Sequence, residues 1–542
     1  MKRSSFLEGT FFATLGIILC KVIGALYVIP FYAMIGVQGG ALYGYAYSIY
    51  AVFISFSIGG IPLAISKLVS EYRTLGYQHT KEKIYQLGVR FAGSIGFILF
   101  LILFFIAPFM AKMMLGSATG GNTVSDVTLV IRIISTSLLI VPRLAVSRGY
   151  FQGHNFMKES SISSILEQLI RVLVILGGCY LTIQVFHGSI KSAVGISVFG
   201  ATAGALIGYL YLLRKKHIKL SSYTGPMSST EKKLTDAYLL RKIILCALPF
   251  FMIESAKAAF SLVDTFTLVK TLVRLNFTVI DAELIQSIVT TWGSKLNMIV
   301  ISISLGITVS IVPYISSSLM KKEMGETNRK IEQSIVLLAL FVFPLALGLS
   351  FLSTPLWTVF YGKNVLGSTL FQFFVFATIT FSFFSLLIHI CQTMNQTKLV
   401  MRVLIWMFAL KLLMNVPSMY LFSYFNISAY FGPLFVTMLI DVIITIYLLL
   451  NLQKQGYAIY RIVYYSLKIL LCSLIMFMAL KIVGSFFFYR GESRIISLFV
   501  ILAYGLLGTV IYAFLIWKST ILRDFFGITK LHKIKNLFLR KG

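Results

Sequence analysis

Nine ionisable residues lie near the middle of long apolar stretches. The basic ones are Lys21, Arg171, Lys257, Lys295 and Lys411; the acidic ones are Glu167, Glu254, Asp264 and Asp441. A charge at the centre of a bilayer costs several kcal/mol, so it faces a water-filled cavity or a partner. The basic side outnumbers the acidic side. A net-positive interior fits an anionic cargo, because ammonium and guanidinium groups replace the water around phosphate oxygens.

The spacing divides this set. Glu167 and Arg171 are four apart and share a helical face, as a structural ion pair would. Glu254 and Lys257 are three apart, and Asp264 follows seven later, so one face holds either an internal pairing network or a substrate contact. Lys411 and Asn415 are again four apart, with Thr437 available on the next segment. Lys21 has no charged neighbour one turn away on its own helix. It is either a cargo contact or a packing residue capped by backbone carbonyls. Lys295 either meets cargo or snorkels to an interface. Arg143 is deep enough to extend a basic path towards Arg148, whereas Arg132 and Lys481 lie near segment ends and can snorkel. The cysteines (Cys20, Cys179, Cys246, Cys391, Cys472) show no metal spacing and no CxxC, and read as small hydrophobes. No P-loop, HExxH or nucleophile elbow occurs, so no metal, no cofactor and no enzymatic activity are expected.

These residues need long membrane helices to position them. The chain has 542 residues, 58% of them hydrophobic and only 12% charged, with a mean hydropathy of +0.88. That composition is an all-α polytopic membrane protein; a transmembrane β-barrel would show short alternating segments. At roughly 20 apolar residues per crossing, about fourteen spans are read. They run approximately 10–35, 42–70, 87–112, 127–150, 160–186, 190–213, 243–272, 286–318, 331–358, 366–392, 399–422, 430–452, 463–488 and 495–517. The first is long enough to be a retained helix rather than a signal peptide.

Net charge is +30. No soluble basic domain exists to bind nucleic acid, and the positive-inside rule explains the excess. Basic residues cluster on alternate connections: Arg73, Lys81 and Lys83; Lys158; Arg214 to Lys233; Lys321 to Lys330; Lys398; Lys454 and Arg461; and the tail after Lys518. This alternation places both termini in the cytoplasm.

The polar stretch 214–242 divides the chain, and its two sides look like repeats. Ile54-Ser55-Phe56-Ser57-Ile58-Gly59 corresponds to Ile301-Ser302-Ile303-Ser304-Leu305-Gly306. Lys83, Gln86 and Pro108 correspond to Lys330, Gln333 and Pro355 at one offset. The expected organisation is an N-lobe of six spans over 1–213, a cytoplasmic linker over 214–242 and a C-lobe of six spans over 243–453. Two extra spans and a basic tail complete it over 454–542. Two pseudo-symmetric lobes with buried charge and no catalytic domain describe a transporter working by alternating access.

Particular motifs carry a family resemblance. Lys21-Val22-Ile23-Gly24-Ala25-Leu26-Tyr27-Val28-Ile29-Pro30-Phe31 resembles the first-helix signature of the polysaccharide-biosynthesis transporters. Gly59-Gly60-Ile61-Pro62 through Val69, Arg148-Gly149-Tyr150-Phe151-Gln152-Gly153 and Glu167-Gln168-Leu169-Ile170-Arg171-Val172 extend it. That group, within the multidrug/oligosaccharidyl-lipid/polysaccharide exporter superfamily, includes the MurJ-type lipid II flippases and the stage V sporulation protein B relatives. The resemblance implies a two-lobe MATE/MurJ-like fold in the bacterial plasma membrane. It implies outward movement of undecaprenyl-pyrophosphate-linked peptidoglycan precursor. It places Lys21 at one cavity arginine of the family and Lys295 near another. Two further family arginines have no counterpart here. Some relatives hold sodium with an acidic residue of helix seven and side chains of helix eleven. The Lys411 ammonium stands there instead, able to pair with Asp264, so coupling to membrane potential or protons is expected in place of sodium.

Two other functions fit less of the chain. A flippase for another undecaprenyl-linked glycan (teichoic acid, capsule or spore cortex) would need the same basic cavity. A cation-coupled multidrug exporter favours an acidic or aromatic cavity and needs only twelve spans. The expected partners are the lipid-linked glycan and membrane lipids, with the protein a monomer.

Overall fold

A computed structural model of the chain describes residues 20–58, 60–116, 120–154, 156–219, 231, 234–320, 323–394, 396–486, 493–519 and 521. Among them every regular element is helical. Eleven helices among the described residues are long and apolar enough to cross a membrane. The difference from fourteen is traceable. The first two spans of the sequence reading fall in one helical stretch, Val28–Thr74, and Asp236–Arg274 and Gly293–Met320 are not among the eleven. The count of fourteen therefore stays a proposal.

The long first stretch is not straight. Helix α1, Val28–Ile58, carries a non-helical Gly36 with φ 64° and ψ −165°. This kink coincides with the connection expected between spans one and two. Gly60 adopts a left-handed φ of 73° immediately before α2, Ile61–Thr74, which has a proline in its first turn. A left-handed residue favours glycine, and proline suits a helix start because the missing N–H would be unsatisfied anyway.

Then follow α3 (Gln78–Leu115), α4 (Val124–Ser135), α5 (Val141–Gly153), α6 (Met157–Tyr180), α7 (Ile190–Lys219) and α8 (Asp236–Arg274). After these come α9 (Val279–Ser287), a π turn at Ile288–Trp292, α10 (Gly293–Met320), α11 (Met324–Phe351), α12 (Ser353–Tyr361) and α13 (Val365–Thr393). The described helices end with α14 (Thr397–Tyr424), α15 (Phe431–Lys454), α16 (Ile459–Phe486) and α17 (Arg494–Lys518). Pro108, Pro344 and Pro417 sit inside helices, as membrane helices tolerate.

Packing groups Met1–Ser294 with Leu404–Pro433 in one unit and Lys295–Val403 with Leu434–Gly542 in a second. In the first, α8 packs on α1, α2 and α3. The two six-span repeats read in the sequence concern descent, which packing does not address, and remain a proposal. Both edges of the polar connection are tied to the first unit. Lys216 donates to Glu82 and Lys242 donates to Glu71 at 2.7 Å. Glu231 accepts from the Thr80 N–H at 3.1 Å and from its hydroxyl at 3.2 Å. In the second unit, α11 packs on α13 and α16, and the Tyr512 hydroxyl of α17 donates to the Leu340 carbonyl at 2.7 Å.

Candidate functional site

The best-defined charged centre of the first unit lies on α6. Glu167 pairs with Arg171 one turn along the same helix and with Arg148 Nη2 of α5 at 2.8 Å. Arg148 also donates to Ser163 Oγ, whose hydroxyl donates to the Gly208 carbonyl. One carboxylate therefore serves two guanidinium groups, and the cluster carries a net positive charge.

Glycine positions this cluster. Gly200, Gly204 and Gly208 recur every four residues on α7 and so share one face. A Cβ at Gly204 would lie 2.5 Å from the Glu167 carbonyl, one at Gly200 3.0 Å from the Arg171 carbonyl, and one at Gly208 3.1 Å from the Ser163 carbonyl. Small residues let membrane helices approach this closely, where packing rather than hydrophobicity drives association. The α6–α7 pair is the most extensive helix contact described.

Beside the cluster stands an aromatic column. The Tyr27 and Tyr43 hydroxyls lie 3.2 Å apart, Tyr43 stacks on Tyr47 at 4.3 Å and on Trp292 at 5.6 Å, and Tyr43, Tyr47 and Tyr50 lie in the field of Arg171. Trp292 is fully buried and donates from Nε1 to the Gly40 carbonyl at 3.2 Å. It closes the π turn that leads into Gly293-Ser294-Lys295, and such turns recur at functional positions.

Lys21 is half-buried in the helical residues 20–26 of the first unit, near where Gly24 approaches Gln168 of α6. Lys295 is half-buried and is the first residue of the second unit. Glu254 and Lys257 lie on α8, but their side chains fall outside the described residues. Arg143 sits on α5 with its guanidinium against Gly93 of α3, where a Cβ would lie 2.7 Å from Nε.

The second charged centre joins α8 to α14. The Lys411 ammonium, with no exposed surface, lies 2.8 Å from Asp264 Oδ1 and donates to the Pro433 carbonyl at 2.9 Å. One turn on, Asn415 Nδ2 donates to Thr267 Oγ1 at 2.7 Å. In the second unit, Asp441 accepts from the Thr380 hydroxyl at 3.2 Å.

Three features escaped the sequence reading. Glu283 is buried and accepts from the Asn122 backbone N–H at 3.2 Å and from Asn122 Nδ2 at 2.8 Å, while the same Nδ2 donates to the Gln38 carbonyl. This ties the connection before α4 to α1 and to α9, and no spacing in the sequence singles Glu283 out. Glu82 joins Lys216 to the Tyr150 hydroxyl, 2.7 Å away. Arg90 faces a groove shared with Arg143. Only the glycine spacing on α7 offered an advance signal of how the α6 cluster is placed.

The comparisons agree with this architecture. Residues 6–317 match the family described as polysaccharide biosynthesis protein. The chain is 30% identical over 540 residues to the lipid II flippase MurJ of Bacillus subtilis (strain 168), covering 97% of each chain. Among solved structures, it is similar to a lipid II flippase MurJ in an inward closed conformation, with TM-score 0.66 and 16% identity over 94% of this chain and 99% of that one. It is also similar to an inward-facing multidrug resistance MATE family transporter of the MOP superfamily. That match has TM-score 0.61 and 12% identity over 82% of this chain and all of the other. At these identities the structures speak for the fold.

Proposed function

Since the chain belongs to the polysaccharide biosynthesis protein family, we propose that it is a transporter, not an enzyme. Its cargo is lipid II, the undecaprenyl-pyrophosphate-linked peptidoglycan precursor, carried from the cytoplasmic to the outer leaflet of the bacterial plasma membrane. The observation that carries this reading is the end-to-end similarity to a lipid II flippase, covering 97% of both chains. The protein acts as a monomer with both termini in the cytoplasm, the orientation its loop charges favour.

In this reading Lys21 and Lys295 each offer an ammonium to the pyrophosphate. An ammonium is a mobile point charge rather than a rigid fork, which suits a cargo that must also leave. The Glu167–Arg148–Arg171 cluster holds the shape and positive field of the first unit rather than clamping phosphate, because its charges are already engaged. The Lys411–Asp264 pair takes the place of a coupling sodium ion, so membrane potential or protons drive the cycle.

A flippase for another undecaprenyl-linked glycan is the second reading, favoured by the pyrophosphate common to both cargoes. Replacing an essential lipid II flippase by this chain separates them. Growth with normal lipid II turnover supports the first; lipid II accumulation despite membrane insertion supports the second.

A further inference from the structure

We propose that the α3–α5 face of the first unit carries a binding site for the phosphate of an anionic glycerophospholipid, formed by Arg90 and Arg143. This site does not depend on the Lys21 and Lys295 cargo contacts proposed above, and it reassigns Arg143 from the basic path read in the sequence to a lipid headgroup.

A cavity of about 560 Å³ opens between the two helices, walled by Arg90, Gly93, Ser94, Phe97, Ile98 and Arg143. Its polar end is basic. Arg143 donates one N–H to the Leu139 carbonyl, at 2.5 Å, and its guanidinium is seated against Gly93. That contact holds the group in place, and a guanidinium has five donors in all. Arg90 is exposed on the neighbouring helix. Among the described residues, no carboxylate pairs with either arginine; Glu82 and Glu167, the acids of adjoining segments, are engaged by Lys216 and by Arg148 with Arg171. Two arginines and the Ser94 hydroxyl on one groove match the charge and the acceptors of a phosphodiester.

The apolar end identifies which phosphate. Arg90, Ser94, Phe97 and Ile98 are spaced i, i+4, i+7 and i+8, a single helical stripe. The stripe continues into exposed Phe105 and Phe109. An exposed row of phenylalanine and isoleucine on a membrane helix faces hydrocarbon, so a ligand held at Arg90 has an apolar track for an acyl chain. Free phosphate would use only the basic end. Both arginines lie towards the same end of two packed antiparallel spans, the end that the charge bias assigns to the cytoplasmic leaflet. Basic pockets between helices on that side are suited to anionic headgroups.

The test uses the full-length protein and the Arg90→Gln and Arg90→Gln/Arg143→Gln variants in detergent. Native mass spectrometry counts phosphatidylglycerol retained after delipidation, with phosphatidylcholine and inorganic phosphate as separate arms. The expected result is one retained phosphatidylglycerol in the wild type, at least fivefold less in both variants, no comparable phosphatidylcholine and no displacement by 10 mM phosphate. Because Arg90 is exposed, its single variant keeps the fold intact, and its thermal midpoint checks this. Equal retention in wild type and Arg90→Gln overturns the proposal. So does phosphatidylcholine retained as well as phosphatidylglycerol, or displacement by inorganic phosphate.

Discussion

The Lys411 ammonium lies 2.8 Å from the Asp264 carboxylate, with the lysine side chain fully buried. A buried ion pair contributes little net stability when formed, but removing one partner strands the other charge, which costs about 3–5 kcal/mol. Lys411→Ala is therefore expected to lower the thermal midpoint sharply in detergent, whereas Lys411→Met with Asp264→Leu recovers most of it. A double-mutant cycle on unfolding midpoints measures this directly.

The proposed coupling rests on the same pair. With an ammonium at Asp264, replacing sodium by potassium is expected to leave transport in proteoliposomes unchanged within twofold, while collapsing the membrane potential or the pH gradient reduces it. A strict sodium requirement that disappears in Asp264→Asn would contradict this assignment.

Helix α6 depends on the glycine face of α7. A Cβ at Gly204 would lie 2.5 Å from the Glu167 carbonyl, and backbone cannot yield as a flexible side chain can. Gly204→Leu is expected to cost about 1–3 kcal/mol, the usual range for overpacking. Gly177→Leu, at a position where nothing lies within 4 Å, serves as the control. Folded yield and thermal midpoint would report the contrast.

Two buried groups outside the spans give opposite dependences on pH. Burial pushes the Glu283 carboxyl up to about 7, opposed by the Asn122 donors. Its contribution to stability is full below about 4.5, its ordinary value, and is lost as pH rises through about 7. Burial pushes His154 down to about 4, despite its hydrogen bond to the Tyr150 carbonyl. Its contribution is full above about 6.5 and is lost as pH falls towards about 4. The wild-type midpoint should therefore vary little between pH 4.5 and 6.5. Glu283→Gln should make stability rise with pH in that window, and His154→Asn should make it fall. Melting curves at four pH values would show the two slopes.

How much of this was legible varies with the kind of interaction. Helical membrane architecture followed from hydropathy, and the Glu167–Arg171 and Lys411–Asn415 spacings follow from helical periodicity alone. The break at Gly36 fell where a connection was expected, since a left-handed backbone calls for glycine. What the sequence hid were contacts between distant segments. Arg148 reaches Glu167 from another helix, Asn122 meets Glu283 across 161 positions, and Arg90 shares a groove with Arg143. Intrahelical spacing carries no information about such partners. Arg90 and Glu283 also sat at segment edges, where a charge looks unremarkable.

The proposed cargo contacts are Lys21 and Lys295. Lys21→Ala and Lys295→Ala are each expected to reduce transport at least tenfold without lowering the thermal midpoint by more than a few degrees. Lys→Arg at either position should retain part of the activity, because the positive charge matters more than its shape.

Substituting this chain for an essential lipid II flippase in a bacterial host, and measuring lipid II on the outer leaflet after depletion of the resident protein, tests the cargo assignment. Growth and normal outer-leaflet lipid II are expected with the wild type, and neither with the Lys21→Ala/Lys295→Ala variant at equal membrane expression. Lipid II trapped on the cytoplasmic leaflet with a well-expressed wild-type chain would contradict it.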